Sequence, residues 1–88
     1  MYPIHFNPKI KQDIPKLKKE NPKYVARFLE LILDIFNDPF KGIGKPEPLK
    51  GDLSGWWSRK ISAKHRLIYK IKDNNLLIAS CYGHYGDK

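Results

Sequence analysis

Acidic residues and cysteine are both scarce in this 88-residue chain, and each shortage excludes something. A single cysteine, Cys81, leaves no internal disulfide to form, which fits a reducing cytoplasm. Its place in the apolar run "LLIASCY" makes it a small buried hydrophobe rather than a reactive thiol. No apolar run approaches the roughly 20 residues that span a bilayer. The start, "MYPIHFNPKI", lacks the charged-then-apolar plan of a secretory leader. A cytoplasmic protein with no membrane partner is therefore expected. The three histidines, at 5, 65 and 84, show neither helical i, i+4 pairing nor a cysteine–histidine zinc spacing, so no metal and no cofactor is expected. There is no glycine-rich phosphate loop at a strand–helix junction. Ser54, Ser58, Ser62 and Ser80 sit in no nucleophile elbow, which removes a serine hydrolase.

What is present suits one domain, residues 1–88, with a single modest core. Eleven aromatic side chains supply large surfaces to bury. Nine Asp/Glu against seventeen Lys/Arg leave a formal charge of +8, and its placement is uneven. Residues 41–72 hold nine basic residues against two acids, Glu47 and Asp52. A localised excess of this kind suits a polyanion, most simply nucleic acid, or an acidic protein partner.

The pattern of elements is α+β. "PIHF" (3–6) reads as a short strand, and the two "NPK" openings at Asn7 and Asn21 read as helix starts, Asn capping and Pro at the first helical position. Pro15 is expected to kink or shorten the first helix. In the second, Tyr24, Phe28, Leu31, Ile32, Ile35 and Phe36 form one buried stripe, and "NDP" (37–39) ends it. A Gly/Pro-rich loop follows, with a short extended piece around 47–50. Then come three strand-like runs, "WWSRKIS" (56–62), "HRLIYKI" (65–71) and "LLIASCY" (76–82). Their short connections predict an antiparallel meander, with two N-terminal helices packed on one face of a small, mainly antiparallel sheet.

One carboxylate, several cations and a histidine remain as candidates for chemistry. Glu47 stands in "KPEPLK", where each proline fixes its own φ and biases the preceding residue towards extended geometry. Rigid positioning is what a general base needs. Arg59 and Lys60 are strand neighbours and must point to opposite faces, as must Trp56 and Trp57. Arg66 and Lys70 share a face, a platform for phosphate. RNA cleavage needs little more: a base for the ribose 2′-hydroxyl, cations for the phosphate and an acid for the departing 5′-oxygen. Glu47, the Arg59/Lys60/Arg66 set and His84 meet that minimum without metal or cofactor. A non-catalytic basic module that binds RNA or DNA, or serves as a co-repressor partner, explains the charge equally well. It gives no reason for an acid between prolines in a basic segment.

Over residues 44–85 the elements "GKPEPLK", "LSG.WSR", "HRLIY" and the terminal "HY", with "DPF.G.GKPE" leading in, stand in the order and spacing of the YoeB/Txe toxins. The chain resembles that family of the RelE-like superfamily. The resemblance implies an mRNA interferase that cuts messenger RNA in the ribosomal A site and is neutralised by an acidic YefM-like antitoxin. A homodimer is implied by the same analogy. It makes Glu47 the general base, Arg66 the phosphate stabiliser, His84 the general acid and Tyr85 a substrate-positioning residue. It places Lys50 and Arg59 in the same site; Lys60 and His65 join them as expected RNA-binding residues, with a packed strand histidine the other reading of His65. The chain departs from the family in carrying Lys60 where a second arginine is common, and in continuing past His-Tyr with Gly86, Asp87 and Lys88.

Overall fold

A computed structural model describes residues 2–83. Strand β1 (Ile4–Phe6) leads into helix α1 (Ile10–Glu20) and helix α2 (Pro22–Asn37). A loop then delivers β2 (Glu47–Pro48), a 3-10 turn (Gly51–Leu53), β3 (Trp57–Lys60), β4 (Arg66–Lys72) and β5 (Asn75–Ser80). The five strands form one sheet in the order β1-β5-β4-β3-β2. Every neighbouring pair is antiparallel except β1 with β5, so the sheet is mainly antiparallel, as its pattern predicts.

Capping chemistry sets the start of α2 but not that of α1. The Asn21 side chain accepts the Lys23 amide at 3.0 Å, and Pro22 follows at the first helical position. Asn7 takes the Lys9 amide at 2.9 Å in the same way, but α1 begins only after that turn, at Ile10. Pro15 neither ends nor shortens α1, which runs on to Glu20. Its missing N–H frees one carbonyl, that of Lys11, and both residues are exposed, so water can take it. The stripe on α2 is buried at Phe28, Leu31, Ile32 and Ile35 and packs with Leu17 of α1 against Leu67, Tyr69, Leu76, Ile78 and Cys81 of the sheet side.

Two local features decide where the sheet presents its side chains. Asp73 and Asn74, both with positive φ (51° and 65°), make the two-residue turn between β4 and β5, the handedness that a tight hairpin requires. A register shift between Ile68 and Tyr69 sets Ile68 opposite Ser80 but Tyr69 opposite Ile78. The extra residue reverses the alternation: Leu76 and Ile78 reach the core, and after the bulge it is Cys81 that does so. Burial, and then the nearby Asp13 carboxylate, push the Cys81 thiol up to about 12. It is an inert core group.

Candidate active site

Sheet register sorts the basic residues into two sets. Lys60 and Arg66 are cross-strand partners on the face away from the helices. Glu47, Ser58, Ile68 and Ser80 form the adjacent rung across β2, β3, β4 and β5. Ser58, Ile68 and Ser80 are buried and floor this face, while Glu47 stands at its edge. The Arg66 guanidinium lies 3.4 Å from the Glu47 carboxylate, the two side chains being 15% and 60% exposed. Lys50 is exposed just past β2. At the far end Lys70 sits 5.2 Å over the Trp56 ring. Trp57 takes the helix side, against the core and 4.8 Å from Phe40, so Trp56 is the tryptophan of the cationic face.

Arg59, expected among the RNA-binding residues, is on the other face and fully buried. Its Nε donates to Tyr69 Oη, and Nη1 to Asp34 Oδ2 at 2.6 Å and the Ile43 carbonyl. Nη2 donates to the carbonyls of Asp38 and Lys41. An arginine has five N–H donors, and these partners take them all, leaving none for a phosphate. The side chain is instead the post around which residues 38–44 are wound. Asp34 also accepts the Ile43 amide at 2.9 Å, and Gly42, at φ +130°, passes so close that a Cβ there would fall 2.0 Å from Asp34 Oδ2. The Lys60 amide then holds the Gly44 carbonyl at 2.7 Å, and Pro46 and Pro48 stiffen the step to Glu47. Arg59 thus meets the loop that carries the carboxylate and not the cationic face itself.

This arrangement has a pH signature. The Arg59 guanidinium, and after it the Ile43 amide, hold the Asp34 carboxyl below the usual carboxylate range. A carboxyl whose pKa is depressed on folding stabilises the protein above its ordinary value, about 4, and loses that contribution as pH falls through the lowered one. The share of the urea midpoint that Asp34 supplies, read as the difference between wild type and Asp34→Asn, should stay level from pH 7 and shrink below about pH 4. An Asp34→Asn variant should start lower and fall less.

His65, also expected to bind RNA, is buried at the helix ends rather than on the cationic face. Its Nε2 lies 2.9 Å from Glu20 Oε1, its Nδ1 accepts the Gly83 amide at 2.9 Å, and its ring stacks on Tyr82 with centroids 4.3 Å apart. Tyr82 Oη donates to the second Glu20 oxygen. That bond first, and then the one to His65, hold the Glu20 carboxyl below its ordinary value, while the same bond raises the Tyr82 phenol. His84 and Tyr85, the expected acid and positioning residue, lie outside the described residues.

Three acids escaped the sequence reading: Asp34, Glu20 and Asp13. Asp13 is buried in α1, pairs with Lys9 at 2.7 Å and accepts the Cys81 amide at 2.9 Å. Asp13 falls between Ile10 and Leu17 on the apolar face of α1, and Asp34 borders the apolar stripe of α2. An acid so placed is the one signal available; its partner lies far along the chain. Among the described residues no group of three or more histidines, cysteines and acids could hold a metal ion, and no helix is long and apolar enough to cross a membrane.

A carboxylate and a guanidinium held side by side on a cationic sheet face, over a floor of small and apolar side chains, can take a proton and stabilise an anion. Two helices on one face of such a five-stranded sheet make the RelE-like fold. Residues 6–85 match the family model of the YoeB-like toxin of bacterial type II toxin–antitoxin systems. A toxin YoeB of Streptomyces coelicolor is 51% identical over 74 residues, 84% of this chain and 88% of that one. Two solved structures from Staphylococcus aureus are equally close in fold. A YoeB–YefM complex shares 41% identity at TM-score 0.82, covering 97% of this chain and 99% of that one. A YoeB dimer shares 40% at TM-score 0.84, covering 96% and 98%. The chain belongs to the YoeB-like toxins of type II toxin–antitoxin systems.

Proposed function

We propose that this toxin is a ribosome-dependent mRNA interferase, cutting messenger RNA in the A site by metal-independent acid–base chemistry and so stopping translation. One observation carries the reading: Glu47 and Arg66 meet at 3.4 Å on the cationic face, one on a proline-stiffened edge strand and the other near the sheet's centre. Glu47 takes the 2′-hydroxyl proton, and the freed oxygen attacks the adjacent phosphorus. Arg66, with Lys60 opposite it, stabilises the charge that builds on the phosphate. His84 protonates the departing 5′-oxygen, and Tyr85 positions the substrate. Lys50 and Lys70 extend the cationic track along the RNA, with Trp56 as a surface on which a base can stack. The nucleophile belongs to the substrate, so nothing in this scheme calls for a cofactor.

An acidic YefM-like antitoxin is the proposed neutralising partner, since its acids would suit the same cationic face. The Staphylococcus aureus relatives in a YefM complex and as a dimer support antitoxin binding and homodimer formation here, in the cytoplasm where ribosomes are found. The test is primer extension on a defined messenger RNA, incubated with purified protein, with and without translating ribosomes. A discrete A-site cut that needs ribosomes, survives chelator and is lost in His84→Ala is the expected result. Binding without a cut, in folded protein, would replace this reading with a non-catalytic basic module.

A further inference from the structure

We propose that His65 is a positioning residue for the end of this active site, its ring anchoring the Gly83 backbone from which His84 extends. The inference rests on the ribonuclease reading given above.

The anchor is needed because, past Ser80, the backbone of β4 holds Gly83 at its carbonyl and leaves its N–H to another partner. Regular pairing of β5 ends at Ser80, immediately after the bulge. From there two side chains take over the acceptor's part in the ladder: Asp13 takes the Cys81 amide and His65 Nδ1 takes the Gly83 amide, each at 2.9 Å. The Gly83 carbonyl is held too, by the Arg66 amide at 3.0 Å. Gly83 is thus fixed at both its N–H and its C=O, and one of its two holders is the backbone of the proposed phosphate-binding arginine. Glycine has the most backbone freedom to lose, and Gly83 sits at φ +96° with open space where a Cβ would be. The two anchors take up that freedom.

Hydrogen-bond chemistry dictates the state of the ring. A backbone N–H can only donate, so Nδ1 is the bare nitrogen, and the proton sits on Nε2, where it is donated to Glu20 Oε1. Glu20 is held in turn by Tyr82 Oη, Tyr82 stacks on one face of the imidazole, and Tyr24 meets it edge-on at 5.9 Å. Glu20, His65 and Tyr82 form one unit whose output is the placing of Gly83.

The two ring nitrogens can be tested apart. His65→Asn puts an oxygen near the Nδ1 position, able to accept the Gly83 amide but too short to reach Glu20. His65→Gln does the reverse. With both variants shown to be folded by far-UV circular dichroism, ribosome-dependent cleavage and Gly83 amide exchange by NMR are measured on each. The asparagine variant should keep kcat within about threefold of wild type and keep Gly83 protected. The glutamine variant should lose at least ~10-fold in kcat, with KM little changed and Gly83 exchanging faster, as small misplacements of a catalytic group do. A glutamine variant with wild-type kcat and a protected Gly83 overturns the proposal, and so does equal loss in both variants, which would make the ring's packing the cause. A wild-type protein that cuts nothing overturns the ribonuclease reading itself, and the positioning role with it. Failure of the proposal alone leaves wild-type cleavage intact.

Discussion

Exchanging Glu47 for glutamine should slow mRNA cleavage by about 10²–10⁴-fold, the range that a positioned general base supplies, and leave RNA binding at least as tight. The side chain is 60% exposed on an edge strand, so the isosteric exchange should move stability by no more than about 0.5 kcal/mol. Its one described polar contact is with Arg66, and a part-exposed ion pair of that length contributes little to folding. The electrostatic expectation has the opposite sign from the catalytic one. Removing an acid from a face carrying Lys60, Arg66 and Lys70 makes that face more attractive to phosphate. Single-turnover cleavage on programmed ribosomes and a binding titration with the same messenger separate the two. A fall in rate with unchanged or tighter binding makes Glu47 part of the chemistry. A rate equal to wild type would remove it from the mechanism and leave the cationic face as a binding surface.

Arg59→Ala should destabilise the fold by about 3–5 kcal/mol, the usual result of removing the buried partner of an ion pair, here together with its other hydrogen bonds, since Asp34 itself is 23% exposed. That is a large share of the 5–15 kcal/mol that holds most domains together. The loss has several sources. Asp34 loses its cation, Tyr69 Oη loses a donor, and the carbonyls of Asp38, Lys41 and Ile43 face a cavity instead of a guanidinium. Lysine would keep the charge but not the fork, so Arg59→Lys should recover only a minor part. Urea unfolding of both variants, with Asp34→Asn alone and combined with Arg59→Ala, makes the measurement. The double variant should lose clearly less than the sum of the singles, since both remove one interaction. An alanine variant as stable as wild type but weak in RNA binding would return Arg59 to the RNA face. The expected outcome is a protein that falls short in folding first and in cleavage only as a consequence.

Much of the architecture is legible along the chain because its causes are local. The Asn21-Pro22 pair caps α2, and the stripe from Tyr24 to Phe36 has to turn one side of α2 inward. Short connections between apolar runs leave an antiparallel meander as the simplest arrangement, and β3, β4 and β5 form it. The parallel pairing of β1 beside β5 was not legible, since nothing in "PIHF" states which edge it will join. The extent of α1 also differed: a proline whose freed carbonyl is solvated does not have to end a helix.

At the site the division is sharper. By itself the sequence determined that Glu47 is held between prolines, that Lys60 and Arg59 diverge, and that Arg66 and Lys70 share a face. These follow from proline's fixed φ and the two-residue repeat of a strand. Only the tertiary structure decided which face looks at the helices. Alternation separates neighbours without saying which of them is buried. That choice depended on Asp34, 25 residues from Arg59, whose carboxylate awaits a guanidinium on the inner face. His65 was drawn inward by Glu20, 45 residues away, and by the Gly83 amide, which lies past the last paired residue of β5. A buried cation is tolerable only where its hydrogen bonds are met, and those partners come together only when the chain has folded.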